Sequence, residues 1–251
     1  MNKKAELSFV VPRVLFRLAP TDSRLITHHL HLLLTVFSQK VYTKAENIAK
    51  GRNHTREDMD NEKREQNREQ VNPPAQFLVE HIHLLQKGKA LDVASGRGRN
   101  TRHLAQQGFT VHAIDRDATA LQTLRLLAQE QRLQNVTTAV VDLEAGPPDN
   151  ETFPPQHYDV VLVFLYLFRP VIPALKQTLR PGSVLVYETL LVENHLRYNH
   201  PRHREFCFES GELRNLVSDL HILHYDEGER PRPDGQPGMF TVRLLAQKNG
   251  V

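Results

Sequence analysis

Short apolar runs alternate with amphipathic stripes from residue 72 onward. The apolar runs predict strands at residues 89–94, 109–115, 136–141, 158–164 and 183–188. The stripes between them predict helices at residues 77–85, 99–107, 118–131 and 171–179. Asp117 is placed to cap the helix that starts at residue 118. Strands that alternate with helices indicate an α/β fold with a mainly parallel sheet.

The last part of the chain departs from this alternation. After an irregular basic segment at 195–206, the pattern predicts a helix at 211–218 and two strands at 220–226 and 239–246. A turn rich in Gly and Pro at 228–238 joins these strands, which predicts an antiparallel hairpin. The predicted fold class is therefore α/β, a Rossmann-like seven-stranded mainly parallel sheet with helices on both faces and a C-terminal antiparallel hairpin.

The N-terminal residues 1–71 differ from the rest and are predicted to form a basic extension ahead of one domain at 72–251. Residues 55–70 contain almost no apolar side chains, so we expect a solvated linker. Apolar positions at helical spacing predict one helix near 24–38 in the extension. We expect residues 1–58 to be dispensable for folding and cofactor binding. The sequence leaves open whether they are functional or lie upstream of the real start at Met59.

Charge and composition limit the function classes. Residues 1–54 carry nine Lys and Arg against three Asp and Glu, so the net charge of +3 comes from the extension. This distribution weakens a prediction of nucleic-acid binding, and it leaves a mitochondrial transit peptide open. The single Cys207 fits a reducing compartment, for which we expect the cytoplasm. No apolar run reaches the ~20 residues that a membrane span needs.

The chemistry-bearing residues follow three consecutive predicted strands. Asp92 lies near the end of the first strand, Asp115 at the end of the second and Asp142 just after the third. In an open α/β sheet, ligands bind at this edge. Three carboxylates there fit a ligand with a cationic group, ribose hydroxyls and an adenine amine. S-adenosylmethionine has all three, and we predict it as the cofactor.

A glycine-containing turn joins the first strand to the next helix. Gly96 and Gly98 allow the backbone to approach a ligand closely and to adopt positive φ. Asp92 can engage the backbone of this turn or the amino group of the methionine moiety. Asp115 can accept hydrogen bonds from the ribose hydroxyls. Asp142, or the backbone of Leu143, can face the adenine amine, although Asp142 also suits an ordinary turn after a strand.

A nicotinamide dinucleotide is the alternative ligand for such a turn. The dinucleotide fingerprint has a third glycine three residues after the second, where this chain has Thr101. It also usually lacks an acid ahead of the turn, where this chain has Asp92. Both differences favour S-adenosylmethionine.

Residues 72–248 resemble class I S-adenosylmethionine-dependent methyltransferases, closest to the tellurite-resistance-type small-molecule methyltransferases of bacteria. The segments that carry the resemblance are 90–105, 109–115, 141–144, 158–170, 179–189 and 211–213, which occur in the order of the family. The turn departs from the family pattern at one position, because Ala94 replaces its first glycine. With this resemblance, Ala94, Arg116 and Phe164 complete the predicted cofactor site, although Phe164 equally suits the core.

Residues just past the fourth and fifth strands are expected to line the space for the methyl acceptor. Tyr166 and Glu188 are the catalytic candidates, because each places a polar group after an apolar run. Glu188 is a base, a residue that orients the ligand, or a partner of Arg169, and the sequence leaves all three open. Arg169 itself is predicted to bind the acceptor.

The basic segment at 195–206 contains three Arg and three His. Its Arg197 and Arg202 are predicted to bind an anionic acceptor such as a carboxylate, phosphate or chalcogen oxyanion. A solvated basic loop is the alternative. No metal site is predicted, because Cys207 and His203 offer too few ligands with suitable spacing.

These observations predict S-adenosylmethionine-dependent methyl transfer to a small-molecule acceptor, possibly an anionic one. The expected chemistry is in-line displacement at the sulfonium methyl group, in which orientation of the acceptor supplies most of the rate. The alternatives are a nicotinamide-dependent oxidoreductase and a non-catalytic cofactor-binding scaffold protein. No nucleic-acid partner and no membrane span are expected.

Overall fold

The computed structural model describes residues 72–231 and 238–250, and every structural statement below concerns these residues. Three predictions lie outside the described residues: the helix predicted near 24–38, the linker predicted at 55–70 and the expectation that the part before Met59 is dispensable. They remain predictions.

Strands and helices alternate through most of the described residues. The strands are β1 Lys89–Val93, β2 Thr110–Asp115, β3 Val136–Val140, β4 Tyr158–Phe164, β5 Leu179–Leu190, β6 His221–Arg230 and β7 Met239–Gln247. The α-helices are α1 Gln76–His81, α2 Arg99–Gln106, α3 Ala118–Glu130, α4 Ile172–Thr178, α5 Val192–Tyr198 and α6 Glu212–Leu216. Short 3₁₀ helices occur at Ile82–Leu84, Arg169–Val171 and Arg204–Phe206.

The seven strands form one sheet in the order β3-β2-β1-β4-β5-β7-β6. The strands from β3 to β5 are parallel, whereas β7 runs antiparallel to both β5 and β6. This topology confirms the predicted fold class, including the C-terminal hairpin. The direction of strand progression reverses between the neighbours β1 and β4, and ligands of open α/β sheets bind at such a reversal.

Apolar side chains cover both faces of this sheet. On β5, Leu185 and Tyr187 belong to the core on one face, and Val184 and Val186 belong to the core on the other. All four side chains are buried. Within the described residues, none of the helices combines the length and the apolar character required to cross a bilayer.

The helix cap at Asp117 was predicted correctly. Its carboxylate accepts hydrogen bonds from the N–H groups of Thr119 at 2.8 Å and Ala120 at 3.0 Å, at the start of α3. The cap fixes where α3 begins, directly after the carboxyl end of β2. It therefore also fixes the path of the chain past Asp115.

The predicted bounds were wrong at both long C-terminal strands. β5 begins at Leu179 rather than at residue 183, because a register shift against β4 takes up the extra residues around Gly182, which has a φ of +80°. β6 continues to Arg230 because its last residues pair with Met239 and Phe240 of β7. Pairing between distant strands, rather than the local turn residues, sets these ends.

The segment after β5 is more ordered than predicted. It contains α5 and the 3₁₀ helix at 204–206, where the pattern indicated an irregular loop. No apolar stripe marks α5, and its buried residues are Val192 and the polar Asn194. The helix ends at Asn199, whose left-handed backbone (φ +49°) allows its N–H to donate to the carbonyl of His195 at 2.8 Å.

Candidate functional site

A cavity of about 440 Å³ lies along the carboxyl ends of the strands. One part of it, here called the acidic side, is lined by Ala94, Asp115, Arg116, Val141, Asp142, Leu143 and Glu144. The other part, here called the apolar side, is lined by Thr189, Leu190, His200, Pro201, Phe206 and Met239. Residues 165–167, which follow β4, line the cavity between these two parts.

The order of the lining residues repeats the order of the strands. Residues after β3, β2 and β1 form the acidic side, and residues of β5 and β7 contribute to the apolar side. Because β4 lies between β1 and β5, its carboxyl end separates the two sides. The cavity is thus a single space with two chemically different ends.

Asp115 ties the end of β2 to the glycine turn. Its Oδ2 accepts a hydrogen bond from the N–H of Gly96 at 2.7 Å, and its Oδ1 accepts one from the N–H of Asp117 at 2.8 Å. A carboxylate has about four lone-pair sites, so each oxygen keeps one for a ligand. Asp115 is half-buried and lines the cavity, so it is accessible to a ligand there.

The glycine turn brings the backbone close to this space. Ala94, Gly96 and Gly98 all have left-handed φ values, of +54°, +54° and +71°. A Cβ at Gly98 would lie 2.3 Å from a methyl carbon of Leu124, so packing against α3 requires glycine there. A Cβ at Gly96 would have no atom within 4 Å, which leaves open space above the turn.

Asp92 lies beneath the turn and does not line the cavity. Its side chain is buried and accepts a hydrogen bond from the hydroxyl of Thr101 at 2.5 Å. Burial raises the pKa of this carboxyl to about 6, although the Thr101 hydrogen bonds act in the opposite direction. In this structure Asp92 holds the start of α2 against the end of β1.

Asp142 forms the ordinary turn that the sequence left open, and it also lines the cavity. Its Oδ1 accepts a hydrogen bond from the N–H of Glu144 at 3.0 Å, as in an ordinary turn. It also lines the cavity together with Leu143. On the same side of the cavity, the guanidinium of Arg116 lies 4.0 Å from the Glu144 carboxylate and is largely exposed.

Tyr166 and Phe164 take different positions after β4. Tyr166 is half-buried and lines the cavity, and burial together with nearby Glu144 raises the pKa of its hydroxyl well above the usual range. Its carbonyl accepts a hydrogen bond from the Tyr187 hydroxyl at 3.0 Å. Phe164 is buried in the core, so the structure does not bring it to the cavity.

Glu188 faces away from the cavity, toward the sheet face that α1 covers. Its side chain is buried, and its Oε1 lies 3.3 Å from Nε of Arg243, directly opposite on β7. Burial raises the pKa of Glu188, and Arg243 opposes that shift. Of the three roles left open for Glu188, pairing with Arg169 is therefore wrong.

Arg169 makes contacts within the protein instead of lining the cavity. Its guanidinium binds both carboxylate oxygens of Glu212, at 2.5 and 2.9 Å. It also donates to the carbonyls of Glu205 at 2.7 Å and Cys207 at 2.9 Å. These contacts join the end of β4 to α6 and to the segment after α5.

Arg197 and Arg202 also lie outside the cavity lining. The guanidinium of Arg197 stacks over the ring of Phe240, and Arg202 is exposed. The same basic segment reaches the cavity through His200, which was not singled out from the sequence. Its histidine-rich composition was visible, but which of its three histidines reaches the cavity depends on how α5 ends. Among the described residues, no cluster of three or more His, Cys, Asp or Glu is arranged to hold a metal ion.

The chain matches the family model of the tellurite resistance protein TehB over residues 60–243. It is 24% identical over 184 residues to a probable S-adenosyl-L-methionine-dependent methyltransferase TehB from Haemophilus influenzae. That match covers 68% of this chain and 61% of the relative. The chain thus spans about three fifths of the length of the curated relatives it matches.

Solved structures show the same architecture. The crystal structure of TehB from Haemophilus influenzae superimposes with a TM-score of 0.58 at 20% identity and covers 68% of this chain and 61% of that chain. A SAM-dependent methyltransferase from Methanosarcina mazei superimposes with a TM-score of 0.55 at 19% identity. This match covers 69% of this chain and 98% of that chain. At these identities the likeness establishes the fold.

Proposed function

The chain belongs to the TehB tellurite-resistance family, and we propose that it transfers the methyl group of S-adenosylmethionine to a small-molecule acceptor. The observation that carries this proposal is the single cavity that joins an acidic side to an apolar side across the end of β4. Such a space can hold a cationic donor and a second small molecule next to each other.

The residues of the acidic side fit S-adenosylmethionine. Asp115 binds the ribose hydroxyls through the lone pairs that its backbone contacts leave free. Asp142 and the backbone of Leu143 face the adenine amine. The open space above Gly96 allows the ligand to lie against the turn. Carboxylates at this side attract the positively charged sulfonium and ammonium groups of the ligand.

When bound, S-adenosylmethionine supplies an electrophilic methyl carbon: the lone pair of the acceptor forms the new bond to it, and the electrons of the broken C–S bond stay on the sulfur. The leaving thioether needs no proton, so the chain must chiefly orient the acceptor in line with this bond. An acceptor that carries a proton must also lose it.

His200 is the proton acceptor that the geometry favours. Among the described residues that line the apolar side, it is the one with an ionisable side chain. Tyr166 also lines the cavity, but its raised pKa keeps its hydroxyl protonated at neutral pH. Glu188 is paired with Arg243 on the opposite face of the sheet.

The apolar side supports a small acceptor with an apolar or polarisable surface. Leu190, Phe206 and Met239 supply most of its hydrophobic lining. An anionic acceptor remains a prediction, and Arg197 and Arg202, the side chains expected to bind it, lie outside the cavity lining. A cytoplasmic location and the absence of nucleic-acid partners also remain predictions.

Transfer of a labelled methyl group tests this function. The full chain is incubated with methyl-labelled S-adenosylmethionine and a small-molecule metabolite extract, and label is followed into low-mass products. We expect labelled product from the wild type and much less from Asp115→Asn. Tight binding of S-adenosylmethionine without any labelled product would favour the scaffold alternative. Failure to bind S-adenosylmethionine would refute the proposal.

A further inference from the structure

Leu165 has a backbone conformation that its side chain disfavours. It directly follows β4 and has a φ of +56°, in the left-handed region that branched side chains rarely adopt. Its side chain is 48% exposed, whereas Phe164 before it and Leu167 two residues after it are buried. Burial of the Leu165 side chain in the core therefore does not explain the strain.

Two hydrogen bonds to β5 hold this conformation. The N–H of Leu165 donates to the carbonyl of Glu188 at 2.8 Å, and the Tyr187 hydroxyl donates to the carbonyl of Tyr166 at 3.0 Å. The backbone is thus fixed on both sides of the Leu165 side chain. Strain that the surrounding structure imposes in this way is characteristic of functional sites.

The position of Leu165 in the cavity connects its strained backbone to the function of the site. Leu165 lines the cavity where the end of β4 separates the acidic side from the apolar side. Ala94 lies at the end of the neighbouring β1, and Thr189 lies on the neighbouring β5. Leu165 therefore lies at the junction of the two sides, together with Tyr166 and Leu167.

We propose that Leu165 is a positioning residue that limits the size of the group carried between the two sides of the cavity. This inference rests on the proposed function. The isobutyl group of Leu165 has no polar atom, so it can hydrogen-bond neither to water nor to S-adenosylmethionine. It narrows the junction so that a methyl substituent on the sulfonium fits and a larger one is disfavoured. Glycine would adopt the same φ without strain but would leave the junction wide.

The test compares two sulfonium ligands that differ by one methylene group. Calorimetry measures the affinities of S-adenosylmethionine and S-adenosylethionine for the full chain and for Leu165→Ala and Leu165→Gly. One extra methylene in a fitted apolar site changes affinity by roughly 10-fold or more, and we expect the wild type to prefer the methyl compound to that extent. Both variants should lose most of this preference.

A matched control and a stability measurement separate size selection from general damage. Leu126→Ala removes a leucine of similar exposure on α3, outside the residues that line the cavity, and should leave the preference unchanged. Leu165→Gly should raise Tm by about 2 °C because glycine relieves the strain, while Leu165→Ala retains the strained φ.

The outcomes distinguish this inference from the proposed function. A reduced preference in both variants, with S-adenosylmethionine still bound, supports the size limit. An unchanged preference in both variants overturns it while the proposed function stands. A wild-type chain that binds neither ligand overturns both.

Discussion

The hydroxyl of Thr101 donates a hydrogen bond to Oδ2 of Asp92, and both side chains are buried under the glycine turn. Thr101 occupies the position where a dinucleotide-binding turn has its third glycine. Thr101 and Asp92, the two positions that differ from the dinucleotide fingerprint, therefore form one hydrogen-bonded pair. The pair joins the end of β1 to the first turn of α2 and leaves Asp115 to face the cavity.

The raised pKa of Asp92 predicts a specific pH dependence of stability. Its pKa of about 6 in the folded chain exceeds its ordinary value of 3.8, so the folded state binds this proton more tightly than the unfolded state does. The resulting stability is fully present below about pH 4 and is lost as the pH rises through about 6.

Asp92→Asn should remove this dependence. Between pH 4 and pH 7, the unfolding free energy of the variant relative to that of the wild type should rise by on the order of 3 kcal/mol. Urea unfolding at several pH values in this range measures the difference. Two curves that stay parallel across the range would show that Asp92 does not titrate as the structure indicates.

Asp115→Asn should weaken binding of S-adenosylmethionine. The substitution removes the charge that would hold the ribose hydroxyls, at a cost of about 1.5–3 kcal/mol, or roughly 10-fold or more in Kd. It keeps one oxygen to accept a backbone N–H, whereas alanine would also release Gly96 and Asp117. Glu130→Gln, at the exposed end of α3, is the control for lost charge. Equal calorimetric affinities for Asp115→Asn and wild type would exclude the ribose role.

Ala94→Gly should stabilise the chain. Alanine at a φ of +54° is strained by about 1–2 kcal/mol. Glycine relieves this strain, but its greater flexibility in the unfolded chain offsets part of the stability gained. We expect a net gain of about 0.5–1 kcal/mol, measured as a higher Tm. Ala128→Gly, inside α3, is the matched control and should destabilise by about 1 kcal/mol. A lower Tm for Ala94→Gly would contradict the observed backbone.

Arg169→Gln should affect stability rather than acceptor binding. The change breaks the contact with Glu212 and two hydrogen bonds to carbonyls, so the unfolding free energy should fall by about 1–3 kcal/mol. Arg197→Gln, at a more exposed site, should change it by less than about 0.5 kcal/mol. If Arg169→Gln is as stable as wild type and only the acceptor KM rises, the original prediction for Arg169 is correct.

The parts of the fold that depend on local signals could be predicted from the sequence. The apolar run of β4 was predicted to the residue, and Asp117 was recognised as a cap because capping needs only its own carboxylate and the next turn. Asp115 and Asp142 both line the cavity at the sheet edge, because strand order in an α/β fold brings the strand ends together, whereas Asp92 is buried beneath the turn.

The parts that depend on distant pairing could not be predicted. Glu188 meets Arg243 because β7 inserts antiparallel beside β5, and no local periodicity contains that register. Helix α5 has no apolar stripe; buried Asn194 holds it in place through hydrogen bonds to the carbonyl of His200 and the N–H of Phe240. For the same reason His200 could not be distinguished from its neighbours as the histidine that lines the cavity.

A calorimetric titration of the full chain with S-adenosylmethionine, and separately with NAD, tests the central claim most directly. The cavity geometry and the family predict saturable binding of S-adenosylmethionine and no binding of NAD. Binding of NAD without binding of S-adenosylmethionine, or binding of neither ligand, would contradict the proposed function.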